Sequence, residues 1–348
     1  MKSLAILVPT YNATSTLEGT LQAILALKDE LIAHVDFVMI SDDGSKDDSV
    51  ALAERVWDLA EVPLRIRRVN PNGGEYRNVN GAFAEMPEHI EWVLIMHADN
   101  EPLPGWVSLF AAECARATPA LGSVCASWQY VVDGHVLCAG DQSGIERAVT
   151  VSANPASIRG TLFQGCWWHN SCAAIRVKAW RSIGGHPQET PLLDFFELLG
   201  LKKIVWPRTR KIRIKGDWDT FLRLLSSGFD VRYLPVPLMR YIELSSSVSA
   251  GSFAWHGDLI ETLQIVRRHQ AAMSRIDLVR IHLRVMLQLG KRIGGGLLRG
   301  QFGRAWKGMQ ALPVMFLSLP VTLLRSFDAK AGRMQRIEYG ADYSVPER

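Results

Sequence analysis

The stretch LIMHADNEPLPGW, residues 94–106, sets the reading of the whole chain. The apolar run Trp92–Met96 has the length and side-chain content of a buried β-strand. It breaks at once into His97, Ala98, Asp99, Asn100 and Glu101, and then into Pro102, Pro104 and Gly105. A core strand that ends on groups able to bind a metal or a sugar suggests a site at its carboxyl end.

The same arrangement recurs upstream. Leu4–Val8 is a short apolar strand, Phe37–Ile40 a second, buried one, and Leu64–Val69 a third strand. Between them, Thr14–Ala33 places Leu17, Leu21, Ile24 and Leu31 at helical spacing. Ser45–Leu59 is a second helix, with Ser45 as N-cap and Asp48 as its capping-box partner. Val79–Ala84 begins a third. Alternating strands and helices predict a parallel sheet with helices on both faces. Ligands of such sheets bind beyond the carboxyl ends of the strands.

Three polar clusters fall there: VPTYN (8–12), SDDGSKDD (41–48) and HADNE (97–101). Singly, each suits a turn or a helix cap; three on one edge point to a binding site. Neither GxGxxG nor GxxxxGK[ST] follows the first strand, which disfavours a nicotinamide dehydrogenase or a P-loop enzyme. A nucleotide on this edge would need a metal to hold its phosphates. Carboxylates suit Mg²⁺ or Mn²⁺, which bind one or two of them together with the substrate's own phosphates. Asp99 is placed for that role.

The motif train LVPTYNATSTLEGTL, ISDDGSKDDS, GEYRNVNGA (74–82) and MHADNEPLPGW resembles the family 2 inverting glycosyltransferases. The resemblance continues through SCAAIRVKAWRSIGGHP (171–187) and KGDWDTFLRLLSSGFDVRYLPVPLMRY (215–241), and covers roughly residues 1–250. It implies a GT-A fold, a mostly parallel central sheet flanked by helices, over residues 1–250. It implies transfer of a sugar from a nucleotide diphosphate to an acceptor hydroxyl. Pro9, Thr10 and Tyr11 match the turn that contacts base and ribose, and Asp42 or Asp43 the residue that reads the base. Arg77 matches a position near the nucleotide. His97-Ala98-Asp99 stands where the family has a DxD motif. Asp99 matches its metal-binding residue, and His97 replaces the first Asp. Imidazole suits Mn²⁺ better than Mg²⁺, so His97 reads as a second ligand or as a ribose hydrogen-bond donor. Asp217 matches the general base.

The chain departs from the family at two places. Gly216-Asp217 replaces the usual Glu-Asp pair. In YIELSSSVS (241–249), Glu243 and Leu244 stand where a His is common among relatives, which leaves a phosphate contact missing or replaced. On local sequence alone Asp217 is also a good N-cap for the helix that follows, and Arg77 an ordinary surface ion-pair partner. Trp167, Trp168 and Trp218 lie on the proposed acceptor side, where aromatic faces can pack on sugar rings; core packing is the alternative. CWWHNSC (166–172) has no fourth ligand that would make it a zinc site.

Charge is divided unevenly over the 348 residues. Residues 251–348 carry a net +8 and the rest −4. Five cysteines without finger or redox spacing suit a reducing compartment. The N-terminus reads as a strand, not a leader, and no window has the apolar length of a spanning helix. Lys202–Lys215 holds seven cations and suits a phosphate-bearing acceptor, a membrane surface or a solvated loop. Residues 251–348 read as basic, mainly helical segments: Ile276–Leu289, a break at Gly294–Gly296, Leu297–Met309 and Pro313–Phe327. Such helices suit an anionic membrane, the catalytic domain or a dimer interface. The tail after Gly332 reads as loosely held.

The expectation is a cytoplasmic, metal-dependent (Mn²⁺ or Mg²⁺) inverting glycosyltransferase, peripheral on the inner membrane face. It would act on a glycan or lipid-linked acceptor in surface polysaccharide or glycolipid synthesis. The alternative is a catalytically silent nucleotide-sugar-binding or scaffold protein of the same fold. A nucleotidyltransferase would carry a glycine- and Lys-rich phosphate loop after the first strand, which is absent. Nucleic acid is a poor partner for so acidic a site.

Overall fold

Four strands form the parallel half of the sheet: β1 (Leu4–Thr10), β2 (Val35–Asp42), β3 (Leu64–Arg68) and β4 (Trp92–Ile95). β1, β2 and β4 are apolar and covered on both faces, while β3, with three arginines, is the half-buried edge strand. A computed structural model describes residues 2–132, 134–139, 145–187, 215–243 and 256–328. The sheet order is β3-β2-β1-β4, continuing through β9 (Ala173–Arg176), β6 (Leu121–Val132) and β10 (Asp230–Ile242) to β5 (Glu101–Pro102). β1 pairs in parallel with both β2 and β4, whereas β9 runs antiparallel to β4 and β6. β7 (His135–Ala139) and β8 (Val149–Val151) pair with β6 and β10. Chain order reverses between β1 and β4, which makes their carboxyl ends the topological switch point.

Helices cover the parallel half. α1 (Leu17–Leu25) buries Leu17, Leu21 and Ile24, one or two turns apart on one face. Each such side chain contributes about 1.5–3 kcal/mol by leaving water. The expected single helix over Thr14–Ala33 is two: α1 stops at Ala26, and α2 (Lys28–His34) restarts beyond Leu27.

α3 (Ser49–Trp57) starts four residues later than expected, with Asp48 and not Ser45 at its N-cap. Ser45 is engaged elsewhere. Its hydroxyl accepts from the Asn12 N–H at 2.9 Å, and its own N–H donates to Asp42. The tertiary bond to the β1 turn wins over the local cap. The remaining helices of this half are α4 (Glu75–Ala84), α5 (Trp106–Ala115), α6 (Pro155–Gln164), α7 (Val177–Ser182) and α8 (Gly216–Ser226).

The described residues fall into two compact units, one holding 2–187 and 215–243, the other 256–328. The second is α9 (Gly257–Arg268), α10 (Arg275–Leu298) and α11 (Phe302–Asp328). α10 starts with a complete capping box between Ser274 and Asp277. The expected break at Gly294–Gly296 does not occur: α10 runs through it to Leu298. Gly296 instead faces Ala305, and a Cβ there would lie 3.4 Å from that of Ala305. The absent side chain lets α10 and α11 approach just before the turn between them. α11 likewise continues through Pro313 and Pro320 as one helix. No helix of the described residues is long and apolar enough to cross a membrane. The basic stretch 202–214, residues 244–249 and the tail after Gly332 lie outside the described residues.

Candidate active site

The site forms where β1 and β4 end side by side. After β1, Asn12 takes a left-handed conformation (φ 46°), and its side chain accepts from the Lys46 N–H at 2.8 Å. The VPTYN turn is thereby tied to the loop after β2. Thr10 is buried, and Tyr11 stands out of the turn with 47% of its surface exposed. Asp42 and Asp43 are both buried. Asp42 accepts from Ser45, and Asp43 accepts from the N–H groups of Gly73 (2.9 Å) and Gly74 (2.7 Å). Asp43 therefore holds the loop that launches α4. Arg77, on the first turns of α4, is exposed and makes no ion pair among the described residues.

At the end of β4, Asn100 is buried and accepts from the Ile242 N–H at 3.1 Å. Glu101 and Pro102 then pair with Arg240 and Met239 of β10. The HADNEP stretch (97–102) is thus a junction between the two halves of the sheet, with Ala98 buried beneath it. His97 and Asp99 remain half-buried at the site.

His97 has a partner that the sequence did not disclose. Its Nε2 lies 3.2 Å from Oε1 of Glu75, off the hydrogen-bond axis. Burial pulls the imidazole down, but the charge of Glu75, with Asp99 and Asp217 behind it, more than reverses this and raises it to about 9. Burial pushes the Glu75 carboxyl up; His97 outweighs it and holds it at about 2. The pair is ionic at neutral pH. A protonated imidazole has no lone pair for a metal, so it acts here as a cation and donor.

The pair also carries a pH signature. The share from Glu75 is full above its ordinary 4.5 and lost as pH falls through about 2. The share from His97 is full below its ordinary 6.5 and lost as pH rises through about 9. Glu75→Gln is therefore expected to lower the melting temperature most between those ordinary values, with the difference shrinking as pH rises through 9. It should also move the His97 NMR titration midpoint down by more than one unit. An unmoved midpoint would show that the two side chains are not coupled.

Asp217 is the second residue of α8, two places beyond the N-cap, which is Lys215. Its Oδ2 lies 3.5 Å from the Asn170 N–H and 3.9 Å from His169 Nε2. Burial, with the charge of Glu75 added, pushes the carboxyl up to about 7. His169 sits on a short 3₁₀ turn (Asn170–Cys172) between the rings of Trp128 and Tyr241. Burial and the His97 charge hold it at about 3, so it is neutral. Its Nδ1 accepts from the Ser171 N–H at 3.2 Å, which leaves Nε2 carrying the hydrogen and facing Asp217.

Gly216 is explained by Tyr76. The Tyr76 hydroxyl accepts from the Gly216 N–H at 3.0 Å, and a Cβ at 216 would overlap the Tyr76 ring. That ring stacks on His186 at 4.6 Å. His186 is itself buried between Thr220 (2.8 Å) and Asn170 (3.2 Å). Asp217 is thus positioned by α4 and the loop after α7. Asp219, in the first turn of α8, forms a buried ion pair with Arg223 at 2.8 Å. Arg223 also donates to the carbonyls of Ile183 and Gly185, fixing α8 on that loop. Glu243, at the second departure, accepts from the Tyr130 hydroxyl.

Trp167, Trp168 and Trp218 are buried and do not offer sugar-stacking faces. Trp167 packs on Phe221 and Tyr233, and the Trp168 indole donates to Ser123 at 2.9 Å. All three are core residues, and Trp167 packs against side chains of α8 and β10. Glu75, Tyr76, His169 and His186 were not singled out by the sequence. Glu75 and Tyr76 do lie in the quoted GEYRNVNGA motif, next to Arg77.

The donor set fits a divalent cation. Asp99 forms no salt bridge or side-chain hydrogen bond to another residue among the described residues. Burial, with Glu75 adding to it, pushes its carboxyl up. Three carboxylates (Glu75, Asp99, Asp217) share one local cation, His97, and oxygen donors suit Mg²⁺ or Mn²⁺. Among the described residues no group of three or more His, Cys, Asp or Glu side chains is placed to hold a metal ion by itself. A metal here would take its remaining ligands from a bound diphosphate and water.

A doubly wound sheet with carboxylates at its switch point is the nucleotide-diphospho-sugar transferase fold of GT-A type. Residues 5–133 match the profile of the family described as "Glycosyl transferase family 2". In sequence and fold the chain resembles the family 2 glycosyltransferases. A curated relative is the undecaprenyl-phosphate 4-deoxy-4-formamido-L-arabinose transferase of Pseudomonas syringae pv. syringae. It is 26% identical over 102 residues, 29% of this chain and 30% of the relative's length. Among solved structures, S. aureus TarS residues 1–349 in complex with UDP-GlcNAc superposes with a TM-score of 0.57 at 13% identity. That match covers 94% of this chain and 89% of the other. The mannosyltransferase PcManGT from Pyrobaculum calidifontis, in complex with GDP-Man and Mn²⁺, gives 0.53 at 15% identity, covering 93% and 88%. At these identities the likeness is one of fold.

Proposed function

We propose that this chain is an inverting, divalent-metal-dependent glycosyltransferase. It moves a sugar from a nucleotide diphosphate to a hydroxyl of a glycan or lipid-linked acceptor. The observation that carries the reading is the convergence on His97 of two carboxylates from opposite halves of the sheet. Asp99 comes from the donor side and Asp217 from the acceptor side, and both charges act on His97.

The reaction is a single in-line displacement. The acceptor oxygen forms a bond to the anomeric carbon as the bond from that carbon to the diphosphate oxygen breaks. Asp217 takes the acceptor proton, and the electron pair leaves with the diphosphate. A carboxyl raised to about 7 is basic enough to take that proton and still ionised in part at neutral pH. His169 presents a neutral N–H to Asp217 and limits its swing. Asp99 would hold Mn²⁺ or Mg²⁺, which supplies Lewis-acid stabilisation of the leaving diphosphate. His97, as a half-buried cation, faces the same charge. Pro9, Thr10 and Tyr11 take the base and ribose, Asp42 and Asp43 shape the base end, and Arg77 reaches the nucleotide from α4.

The named ligands of the similar structures, UDP-GlcNAc and GDP-Man with Mn²⁺, support a nucleotide-sugar donor and a metal. The undecaprenyl-phosphate in the Pseudomonas relative's name supports a lipid-linked acceptor. Calorimetric titration with UDP, GDP and dTDP, each with and without Mn²⁺, tests the reading. One nucleotide should bind, and more tightly with Mn²⁺. If the folded protein binds none of them, the transferase reading fails; if it binds a donor sugar but never transfers or hydrolyses it, the silent-binder reading replaces it.

A further inference from the structure

The helical unit leaves two apolar helix faces in solvent. On α10, residues 276, 283, 287 and 298 fall within about 60° of one another at 3.6 residues per turn. They are Ile276, Leu283, Leu287 and Leu298, all exposed, Leu287 at 67%. The opposite side of the helix buries Leu278, Ile281, Val285 and Leu289. On α11, Phe302, Trp306, Met309 and Phe316 fall within about 80° by the same arithmetic. All four are exposed, Trp306 at 60%, while Ala305, Ala311 and Met315 are buried behind them. An amphipathic helix in a finished monomer turns its apolar side inward. These two have an apolar side inward and a second one outward.

Charge says what covers the outward side. Residues 275–328 hold nine Lys and Arg against two Asp, and one of those, Asp277, is buried in the α10 cap. Arg280, Lys291 and Arg284 flank the exposed α10 stripe along one edge. Exposed Leu, Phe and Trp beside Arg and Lys is the composition of a helix lying in the headgroup region of a bilayer. A second copy of the same face would bring like charges together. A groove of about 430 Å³ adds a further sign: Ile276, Val279 and Leu323 form apolar walls beside Arg275 and Arg280. Apolar walls with guanidiniums at the rim match a lipid phosphate and its first methylenes.

We propose that α10 and α11 seat the protein on an anionic lipid bilayer, with Leu287 and Trp306 entering the interface and Arg280 and Lys291 on the headgroups. This goes beyond the transfer chemistry and does not depend on it. The test is co-sedimentation of the full chain with vesicles of phosphatidylcholine alone or mixed with phosphatidylglycerol, at low and high salt. Binding should favour the anionic vesicles and weaken with salt. Arg280→Gln with Lys291→Gln should lower anionic binding about 25-fold, at about five-fold per charge. Leu287→Gln with Trp306→Gln should lower it about ten-fold or more. Nucleotide affinity in solution should be unchanged in both variants, which also shows that they fold. Equal binding to neutral and anionic vesicles, or none to either, overturns the proposal. So does a wild-type dimer that the Leu287/Trp306 variant splits, because the face would then be an interface between copies. A chain that binds vesicles but no nucleotide would overturn only the transferase reading.

Discussion

Asp217→Asn is expected to lower kcat by about 10²–10⁴-fold, the range for loss of a general base, with donor affinity little changed. The substitution keeps the shape and the contact with the Asn170 N–H but removes the proton acceptor. The acidic limb of the wild-type kcat/KM profile should rise through a midpoint near 7, set by burial and the charge of Glu75. Below that midpoint Asp217 is protonated and cannot take the acceptor hydrogen; above it activity should level off. The groups facing Asp217 are Glu75, His97 and His169, and of these only His97 adds a positive charge. The asparagine variant should have no such limb. If kcat survives or the limb persists, another group is the base, and Asp217 serves only the start of α8.

The second large effect concerns Asp99. Asp99→Ala should abolish the Mn²⁺-dependent part of nucleoside-diphosphate binding, a loss of about 100-fold or ~3 kcal/mol. Binding measured without metal should be nearly the same in variant and wild type. That contrast separates a metal ligand from a residue that merely shapes the loop, since a structural defect would weaken both. Wild type and variant gaining equally from Mn²⁺ would place the metal elsewhere and leave Asp99 without its proposed role. His97 is not expected to replace it, because its Nε2 faces Glu75 and the ring is protonated at neutral pH.

The pattern of strands and of polar strand ends was legible without a structure. β1, β2 and β4 lie within a few residues of their expected places, because a run covered on both faces must be apolar throughout, and the edge strand β3 follows from the alternation of strand and helix. The carboxyl-edge clusters followed from chain order alone. Helix starts were less legible. Ser45 has the right chemistry for an N-cap, but its hydroxyl is taken by Asn12. The glycine run 294–296 looked like a break, yet small residues are what a close helix pair needs at its turn.

Sequence by itself determined the sheet, the edge on which ligands gather, and the two carboxylates offered as base and metal ligand. These rest on period, order and short motifs, which act between near neighbours. Tertiary structure decided how those groups are charged and held. Glu75 reaches His97, Tyr76 closes over Gly216 across 140 residues, and His169 turns its N–H to Asp217. It also decided that Trp167, Trp168 and Trp218 pack the core instead of facing a sugar. Electrostatic and steric partners are set by distance in space, and a one-dimensional pattern does not encode which distant residues the fold brings within a few ångströms.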